Sequence, residues 1–374
     1  MDSDDFFEIA SAHFEDALPF VLYSKPQTSV VKGLFQNDST VHTSTDLSES
    51  GFIFAPFNSD APTILIPINE SHAFETECFT SDKLGKIETY NSKETTASIE
   101  VKAFHVELVS KAIKTIHATD LKKVVISRKE TVSLAKVSPI QLFKRLLEVY
   151  TSAFVYCWYH PKIGLWLGAT PETLLSVASN RFKTMALAGT QEYTGNDNPQ
   201  WGGKETEEQQ LVTDYIAESL KLSVNNLSIG TTQTIRAGNL LHLQTMISGT
   251  IDSNLKTIVN ALHPTPAVCG LPKIAAKQFI INNENYKREF YTGFLGELNS
   301  KEKTTRNTNR RNVENSVYSS VKTVSNLYVN LRCMQLTDVN ASIYVGGGIT
   351  KDSNPESEWE ETVSKSETMK KVLF

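Results

Sequence analysis

Residues 344–365 of the chain, YVGGGITKDSNPESEWEETVSK, join a β-branched stretch to an acidic segment through three glycines. The stretch ASIYVGGGI (341–349) predicts a strand, and the tail predicts a final helix. On that helix Glu358 and Glu361 are three residues apart and share one face, with Lys365 a turn beyond on the same side. The unit is a strand that ends in glycine and leads into a helix rich in carboxylates.

The glycines match no nucleotide-binding motif, because GGGITKD lacks both the GxxxxGK[ST] of a P-loop and the GxGxxG of a dinucleotide fold. A backbone without side chains at a strand end can still present N–H groups to an oxyanion at close range. Gly346 and Gly348 are therefore candidates for binding an anion, and a carboxylate is the anion we expect.

Outward from this unit the chain mixes long strands with helices. Strands are predicted for KKVVISRKETVSL (122–134), SAFVYCWYH (152–160), RFKTMALAGT (181–190), LHLQTMISGTI (241–251) and LYVNLRCMQL (327–336). Helices are predicted for VELVSKAIKTIHA (106–118), SPIQLFKRLLEVY (138–150), ETEEQQLVTDYIAESLKL (205–222) and GLPKIAAKQFIINNE (270–284). Because strict βαβ alternation is absent, an α/β (α+β) fold, a mixed sandwich, is favoured over a Rossmann fold. Residues 1–100 predict small strands and loops, and the polar segment 301–326 predicts a solvated loop.

Composition narrows the class of protein. The 374 residues are 40% hydrophobic and 21% charged, as in ordinary globular proteins, and the net charge of −5 argues against nucleic-acid binding. The acidic start lacks the features of a signal peptide, and no stretch approaches the length of a membrane span. The four cysteines are scattered and suggest neither a zinc site nor a disulfide framework. We expect a reduced, cytoplasmic protein that does not contact membranes.

A second acidic helix start repeats the spacing of the first. In KETEEQQ, Glu205 and Glu208 are again three residues apart. Two helices that each offer a carboxylate pair could converge on a hard cation such as Mg²⁺, which prefers oxygen ligands. The alternative is that these glutamates only complement the helix dipole, and the spacing does not decide between the two.

Four further side chains are candidates for chemistry. Glu172 lies in the turn GATPE between apolar flanks, where desolvation would raise its pKa and suit a general acid, unless the turn is simply exposed. Lys123 heads the strand KVVISR and is either a base or a snorkelling side chain. Arg332, inside an apolar strand, requires a partner, which is either an anionic ligand or a structural carboxylate. His242 is typical of a core histidine with a satisfied ring.

The chain resembles the chorismate-utilising enzymes, and most closely the isochorismate synthases. The matching segments are KKVVISR, LGATPETLL, LAGT, KETEEQQLV, LHL, LHPTPAVCGLPKIAA, REFYTGFLGEL, NLRCMQL and YVGGGITKDSNPESEWEETVSK. They cover roughly residues 100 to 374. The resemblance implies one large fold of two stacked β-sheets flanked by helices, with residues 101–374 as the chorismate-binding catalytic domain. Residues 1–100 would be the variable N-terminal part of that fold, and 301–326 a loop insertion.

By this resemblance the acidic helices hold Mg²⁺. Glu208 and Glu361 would bind the ion, and Glu205 and Glu358 would support its waters or its shell. The ion would bridge the helices to the ring carboxylate of chorismate, since carboxylates facing a dianion would otherwise repel it.

The resemblance also implies the residues that contact chorismate. Arg332 and the N–H groups around Gly346 and Gly348 would hold the enolpyruvyl carboxylate, and Lys365 would balance the acidic cluster. The other implied pocket residues are Gly189, Thr190, His242 and Ala267.

Lys123 would be the general base that activates water for attack at ring carbon 2. Glu172 would be the general acid that protonates the hydroxyl leaving carbon 4, so that the enzyme would be an isomerase.

Residues at three positions indicate which branch of the chorismate-utilising family the chain resembles. Anthranilate synthases carry glutamine where this chain has Lys123, and aminodeoxychorismate synthases carry lysine where it has Ala188, so no glutamine-amidotransferase partner is expected. Salicylate synthases usually have threonine where this chain has Ala267. The alternatives are therefore a salicylate synthase and a non-catalytic chorismate-binding homologue. Whether the product feeds menaquinone or siderophore synthesis stays open.

Overall fold

The protein is described here by a computed structural model over residues 1–77, 99–134, 137–196, 199–237, 240–304 and 320–374. Two antiparallel β-sheets make up its centre. The first has nine strands in the order β15-β7-β19-β18-β9-β8-β1-β2-β6. Its strands are β1 Phe20–Ser24, β2 Val30–Gln36, β6 Ser71–Glu77, β7 Lys123–Ser133, β8 Phe154–His160, β9 Gly164–Thr170, β15 Gly270–Leu271, β18 Cys333–Leu336 and β19 Asn340–Ile349.

The second sheet has ten strands. Nine follow the order β12-β14-β11-β10-β17-β16-β4-β5-β3, and β13 pairs with β14. These strands are β3 His42–Ser44, β4 Gly51–Ala55, β5 Thr63–Pro67, β10 Thr173–Ala178, β11 Arg181–Glu192, β12 Val224–Ile229, β13 Gln233–Ala237, β14 Leu240–Ile251, β16 Phe294–Thr304 and β17 Ser320–Val329.

The α-helices are α1 Ser3–Glu15, α2 Ile99–Ala118, α3 Pro139–Val149, α4 Gly203–Leu220, α5 Leu255–Leu262, α6 Lys273–Asn283 and α7 Pro355–Leu373, with a 3₁₀ turn at Ile68–Glu70. Helices α1, α3 and α7 pack on the outer face of the first sheet, and α4 and α5 on that of the second. Helices α2 and α6 cover β7. Within the described ranges, none of these helices is long and apolar enough to cross a membrane. The predicted mixed α/β sandwich is confirmed.

An aromatic core joins the two sheets. Alternate residues of β8 show the two-residue period of a strand, because Phe154, Tyr156 and Trp158 face this core while Val155 and Cys157 face the outer helices. The core also includes Phe54, Phe290 and Tyr328. Burial of apolar area between the sheets therefore fixes how they stack.

The N-terminal segment contributes to both sheets. Strand β1 pairs with β8, and strand β4 pairs with β16, so these strands join partners that lie well beyond residue 100 in the chain. A helix, α1, was not among the small strands and loops predicted here. Asp2 caps it by accepting from the Asp4 amide, and Phe6, Phe7 and Ala10 bury its apolar face. The domain boundary near residue 100 stays a prediction.

Two sequence predictions were wrong in part. The segment 301–326 is not a loop at its ends, because β16 continues to Thr304 and β17 begins at Ser320, while 305–319 lie outside the described residues. The described side chains of these strand ends, Lys301, Glu302 and residues 321–323, are exposed, so the sequence shows no apolar alternation there. The stretch LYVNLRCMQL is not one strand either. It leaves the second sheet at Val329 and enters the first at Cys333, with Arg332 in a left-handed conformation (φ 45°) between them.

Substitution of the central aromatic core tests this architecture. Phe54 is fully buried, and its ring centroid lies 4.3 Å from that of Phe290 and 5.1 Å from that of Trp158. We expect Phe54→Ala to lower the free energy of unfolding by about 3–5 kcal/mol, because it leaves a cavity between the sheets. Chemical denaturation measures this. Phe74→Ala, at a half-exposed ring on an edge strand, is the matched control, and an equal loss there would contradict the assignment of the core.

Candidate active site

A cavity lies where strands of both sheets meet the start of α4 and one side of α7. Its lining includes twelve of the fourteen predicted site residues, namely Glu172, Gly189, Thr190, Glu205, Glu208, His242, Ala267, Arg332, Gly346, Gly348, Glu361 and Lys365. The other two, Lys123 and Glu358, are buried side chains that form ion pairs with residues of the lining, Glu208 and Lys204. The fold thus brings together residues that are up to 242 positions apart, from Lys123 to Lys365.

The glycine strand β19 allows carboxylates to approach the backbone. It pairs with β7 along its whole length, with Gly348 opposite Val125. A Cβ on Gly348 would lie 2.6 Å from Glu208 Oε1 and 3.0 Å from Lys123 Cε. A Cβ on Gly347 would lie 3.3 Å from Glu358 Oε2. Side chains at these glycines would therefore collide with the acidic groups.

Lys123 begins β7 and is fully buried. Its Nζ lies 2.7 Å from Glu208 Oε1, an ion pair whose angles fall outside hydrogen-bond geometry. An ammonium so buried requires a counter-charge, and Glu208 provides it. The pair joins the start of a first-sheet strand to helix α4.

Glu172 lies between β9 and β10 and is only 4% exposed. Its amide donates to Thr170 Oγ1, and its carbonyl accepts from the Val329 amide, so its backbone is held on both sides. Burial raises the pKa of its carboxyl to about 8, although the charge of Lys123 acts in the opposite direction. The sequence left open a desolvated or an exposed side chain, and the structure has the buried one, whose raised pKa favours the protonated acid at neutral pH.

Arg332 and His242 form a bonded pair at the cavity wall. Arg332 Nη2 lies 3.1 Å from His242 Nε2, and His242 Nδ1 lies 3.1 Å from the Gly189 carbonyl. Because a guanidinium can only donate, Nε2 must be the acceptor and the ring proton must be on Nδ1. Burial, together with the charges of Arg332 and Lys365, lowers the pKa of His242 to about 3, so the ring is neutral. The histidine ring is satisfied, as the sequence predicted, and it orients the arginine.

The backbone at Gly189 makes room for Glu205 at the start of α4. Gly189 lies in β11 at an irregularity in its pairing with β14 and has a φ of 73°, a conformation that favours glycine. A Cβ there would lie 3.1 Å from the Glu205 Cβ. Thr190 is the next residue and lies opposite His242 in the register of the two strands.

Three of the four predicted metal ligands form ion pairs with lysines. Glu208 pairs with Lys123, Glu358 with Lys204 at 2.7 Å, and Glu361 with Lys365 at 2.6 Å. The carboxylate of Glu205 instead folds back over the first turn of α4, where a Cβ on Gly202 would lie 2.5 Å from its Oε2. A carboxylate in the first turn of α4 complements the helix dipole, and whether Glu205 also supports a metal ion stays a prediction.

The remaining carboxylates have the donor chemistry of a hard cation site. Across the described ranges, no three His, Cys, Asp or Glu side chains stand in an arrangement that could already hold a metal ion. Glu358 and Glu361 nevertheless both border Gly347, and Glu208 borders Gly348. The Oε2 atom of Glu358 is buried and has no hydrogen-bond partner among the described residues. An unpartnered carboxylate oxygen beside two further carboxylates fits a divalent cation.

Glu358 and Glu361, both on α7, have opposite pKa shifts. Burial, and then the neighbouring charge of Glu361, raise the pKa of Glu358. Burial acts on Glu361 in the same direction, but Lys365, with Lys204 and Lys123, holds the pKa of Glu361 below its usual value. Glu361 is thus the firmly ionised carboxylate of the pair.

Sequence reasoning missed several residues of the cavity. Lys204 was quoted in KETEEQQ but was given no role, although a lysine beside paired glutamates is the signal that had singled out Lys365. Tyr291 and Tyr344 line the cavity with stacked rings whose centroids are 5.4 Å apart. Their sequence context, REFYTG and ASIYV, resembles ordinary core and strand, so no local signal identified them.

Comparison with known proteins agrees with this fold and site. The family model described as chorismate binding enzyme matches residues 62–305, well over half of the chain, and a second model with the same description matches residues 316–371. The chain therefore belongs to the chorismate-binding enzyme family.

Two relatives and one solved structure illustrate the similarity. The chain is 26% identical to isochorismate synthase MenF of Escherichia coli (strain K12) over 277 residues, 71% of this chain and 59% of the relative. It is 28% identical to isochorismate synthase EntC of the same strain over 279 residues, 71% of this chain and 66% of the relative. Each match thus spans less than two thirds of the relative's length.

The solved structure of the menaquinone-specific isochorismate synthase MenF from Escherichia coli has a TM-score of 0.75 to this chain at 20% identity. That similarity covers 95% of this chain and 89% of the other. At this level of identity it establishes the fold.

The Lys204–Glu358 pair can be tested by removing the cation. Lys204→Met would leave the second oxygen of a buried carboxylate unpaired, and we expect the free energy of unfolding at pH 7 to fall by about 1–3 kcal/mol. Lys204→Arg keeps the charge and should retain most of the stability. Chemical denaturation of metal-free protein compares the two. Equal stability of the methionine variant and the wild type would show that the pair contributes nothing.

Proposed function

We propose that the chain is an isochorismate synthase, an isomerase that converts chorismate to isochorismate. The observation that carries this proposal is the buried carboxyl of Glu172, whose pKa burial raises to about 8, in the same constellation as the buried side chain of Lys123. An allylic displacement of hydroxyl by water needs one group that gives a proton and one that takes a proton. The names of the two relatives, both isochorismate synthases, agree with it.

Lys123 and Glu172 divide the proton transfers. Lys123 takes a proton from water as the water oxygen bonds to ring carbon 2, the ring double bonds shift, and Glu172 gives its proton to the hydroxyl that leaves carbon 4 as water. An ammonium has no lone pair, so Lys123 acts as base only as the neutral amine. Atoms balance, because one water enters and one leaves.

Arg332 and the glycine strand bind the substrate's carboxylates. Arg332 is held by His242, so its guanidinium is oriented before the substrate arrives. The N–H groups of Gly346 and Gly348 would bind the enolpyruvyl carboxylate together with Arg332. Lys365 donates to the Gly346 carbonyl at 2.9 Å and adds positive charge at this end of the cavity. Gly189, Thr190 and Ala267 complete the wall.

Glu208 and Glu361 would hold Mg²⁺, with Glu358 and Glu205 near its shell. When bound, the ion would supply positive charge between these carboxylates and the ring carboxylate of chorismate, and would orient the ring. The expectations of no nucleic-acid, membrane or amidotransferase partner and of a cytoplasmic location stay predictions, as does the choice between the menaquinone and siderophore pathways.

Product analysis is the decisive test. Purified protein is incubated with chorismate in Mg²⁺ or in EDTA, and the products are separated by chromatography. We expect isochorismate with Mg²⁺ and loss of turnover with EDTA. Salicylate and pyruvate would instead establish a salicylate synthase. Chorismate binding without turnover would establish the non-catalytic homologue and exclude the roles of Lys123 and Glu172.

The pKa of Glu172 gives a pH dependence with a definite sign. The acid works in its protonated form, so kcat/KM should be retained below about pH 8 and should fall as the pH rises through about 8. Glu172→Gln removes the proton donor and should lower kcat by about 10²–10⁴-fold. Glu360→Gln, at an exposed position on α7, is the matched control. A pH profile that shows no fall near pH 8 in the wild type would contradict the assignment.

A further inference from the structure

Arg128, on strand β7, is a buried cation that the proposed reaction does not use. Its side chain is 5% exposed, and in the first sheet it lies opposite Val345, two residues before Gly347 of the glycine strand β19. A buried guanidinium is costly unless its charge and its N–H groups are satisfied. The contacts that satisfy it show what it does beside the candidate active site.

Arg128 bridges its own strand and helix α7. Its Nη1 donates to Glu130 Oε2 on β7 at 2.7 Å, an ion pair between two buried side chains. Its Nε donates to the hydroxyl of Thr362 on α7 at 2.7 Å. The guanidinium carbon also lies 4.6 Å from the centre of the Trp359 ring, in a cation–π contact with the same helix.

Thr362 and Glu130 extend this network. The fully buried Thr362 hydroxyl accepts from Arg128 and donates to the Trp359 carbonyl at 2.8 Å, which fixes its orientation. The other carboxylate oxygen of Glu130 forms an ion pair with Lys370 at 2.7 Å, further along α7. Helix α7 is therefore held against β7 at Thr362 and at Lys370, two points about 12 Å apart along its axis.

The helix residues in contact with the guanidinium are direct neighbours of two predicted metal-site carboxylates. Glu358 immediately precedes Trp359 in the sequence. Glu361 immediately precedes Thr362. A Cβ on Gly347 would lie 3.3 Å from Glu358 Oε2 and 3.8 Å from Glu361 Oε1, so both carboxylates border this glycine. A rotation or a shift of α7 would move both of them away from the strand together.

Apolar packing alone does not hold a helix with the precision that a metal site requires, because burial of apolar area is non-directional. A shift by one residue along the axis moves each side chain by about 1.5 Å. Mg²⁺ demands nearly ideal octahedral geometry, and such a site must be held to within about 0.5 Å. The hydrogen bonds and ring contact of a planar guanidinium are directional, so they can supply this precision.

We propose that Arg128 is a positioning residue for the metal site, and that its contacts with α7 set the places of Glu358 and Glu361 beside Gly347. The inference rests on the proposed function, in which Glu361 binds Mg²⁺ and Glu358 lies near its shell. Arg128 is absent from the described lining of the active-site cavity, so it acts through the helix and not on the substrate.

Calorimetric titration of the full-length, metal-free protein with Mg²⁺ tests this role. Thr362→Val keeps the shape of the side chain and removes the hydroxyl that accepts from Arg128. We expect Mg²⁺ binding to weaken about tenfold, as for other groups that orient metal ligands without touching the metal. Thr362→Ser restores the hydroxyl and should restore the affinity. In turnover, the Mg²⁺ concentration for half-maximal rate should rise by the same factor, while kcat at saturating Mg²⁺ stays close to that of the wild type.

Ser366→Ala is the matched control. Ser366 is a fully buried residue of α7 whose hydroxyl donates to the carbonyl of Val363 in the same helix at 2.8 Å. Its removal should leave the Mg²⁺ affinity unchanged, and a loss equal to that of Thr362→Val would overturn the proposal. Arg128→Lys keeps the charge without the planar fork and should weaken binding as Thr362→Val does. Wild-type affinity in either of these two variants would likewise overturn the proposal.

The proposed function and the positioning role fail in different ways. The titration contains no chorismate, so its result does not depend on which product the enzyme forms. A wild-type protein that binds no Mg²⁺ would overturn the metal site and the positioning role together. Binding by the wild type with unchanged affinity in Thr362→Val would overturn the positioning role alone.

Discussion

The close approach of carboxylates to a strand without side chains is the constraint on which the rest of the site depends. At Gly347 and Gly348 the strand β19 leaves the space that Glu208 and Glu358 occupy, and any Cβ would lie within contact distance of their oxygens. Helices α4 and α7 can therefore bring their acidic faces against the first sheet. The same strand pairs with β7, which begins at Lys123. One backbone feature thus sets the positions of two helices and of the buried lysine between them.

Desolvation then determines how each buried side chain behaves. The same low-polarity surroundings raise the pKa of Glu172 and lower those of His242 and Arg332. Where a counter-charge is adjacent, as for Glu361 beside Lys365, the ionised form is retained. A carboxyl that keeps its proton and a carboxylate that has lost it can therefore coexist on one cavity, which acid–base chemistry at a single pH requires.

Much of this was accessible from the sequence because the relevant signals were local. Spacing placed Glu358 and Glu361 on one helical face, and apolar flanks predicted the raised pKa of Glu172. Signals that depend on tertiary structure were not accessible. The change of sheet at Arg332 is set by Asn330, whose side chain bonds Tyr156 and the Phe290 carbonyl, both remote in sequence. The role of Lys204 likewise depends on Glu358, 154 residues away.

The charges of the cavity give a physical reason for the cation in the proposed function. Among the described residues at the site, four cations (Lys123, Lys204, Arg332 and Lys365) face four glutamates (Glu205, Glu208, Glu358 and Glu361), and Glu172 is protonated at neutral pH. With Lys123 in its ammonium form, the charges of the site's own residues are therefore close to balanced. A dianionic substrate would add two negative charges to a poorly solvated cavity, a large cost unless they are compensated. A divalent cation carries two positive charges, which would balance the two negative charges of the substrate.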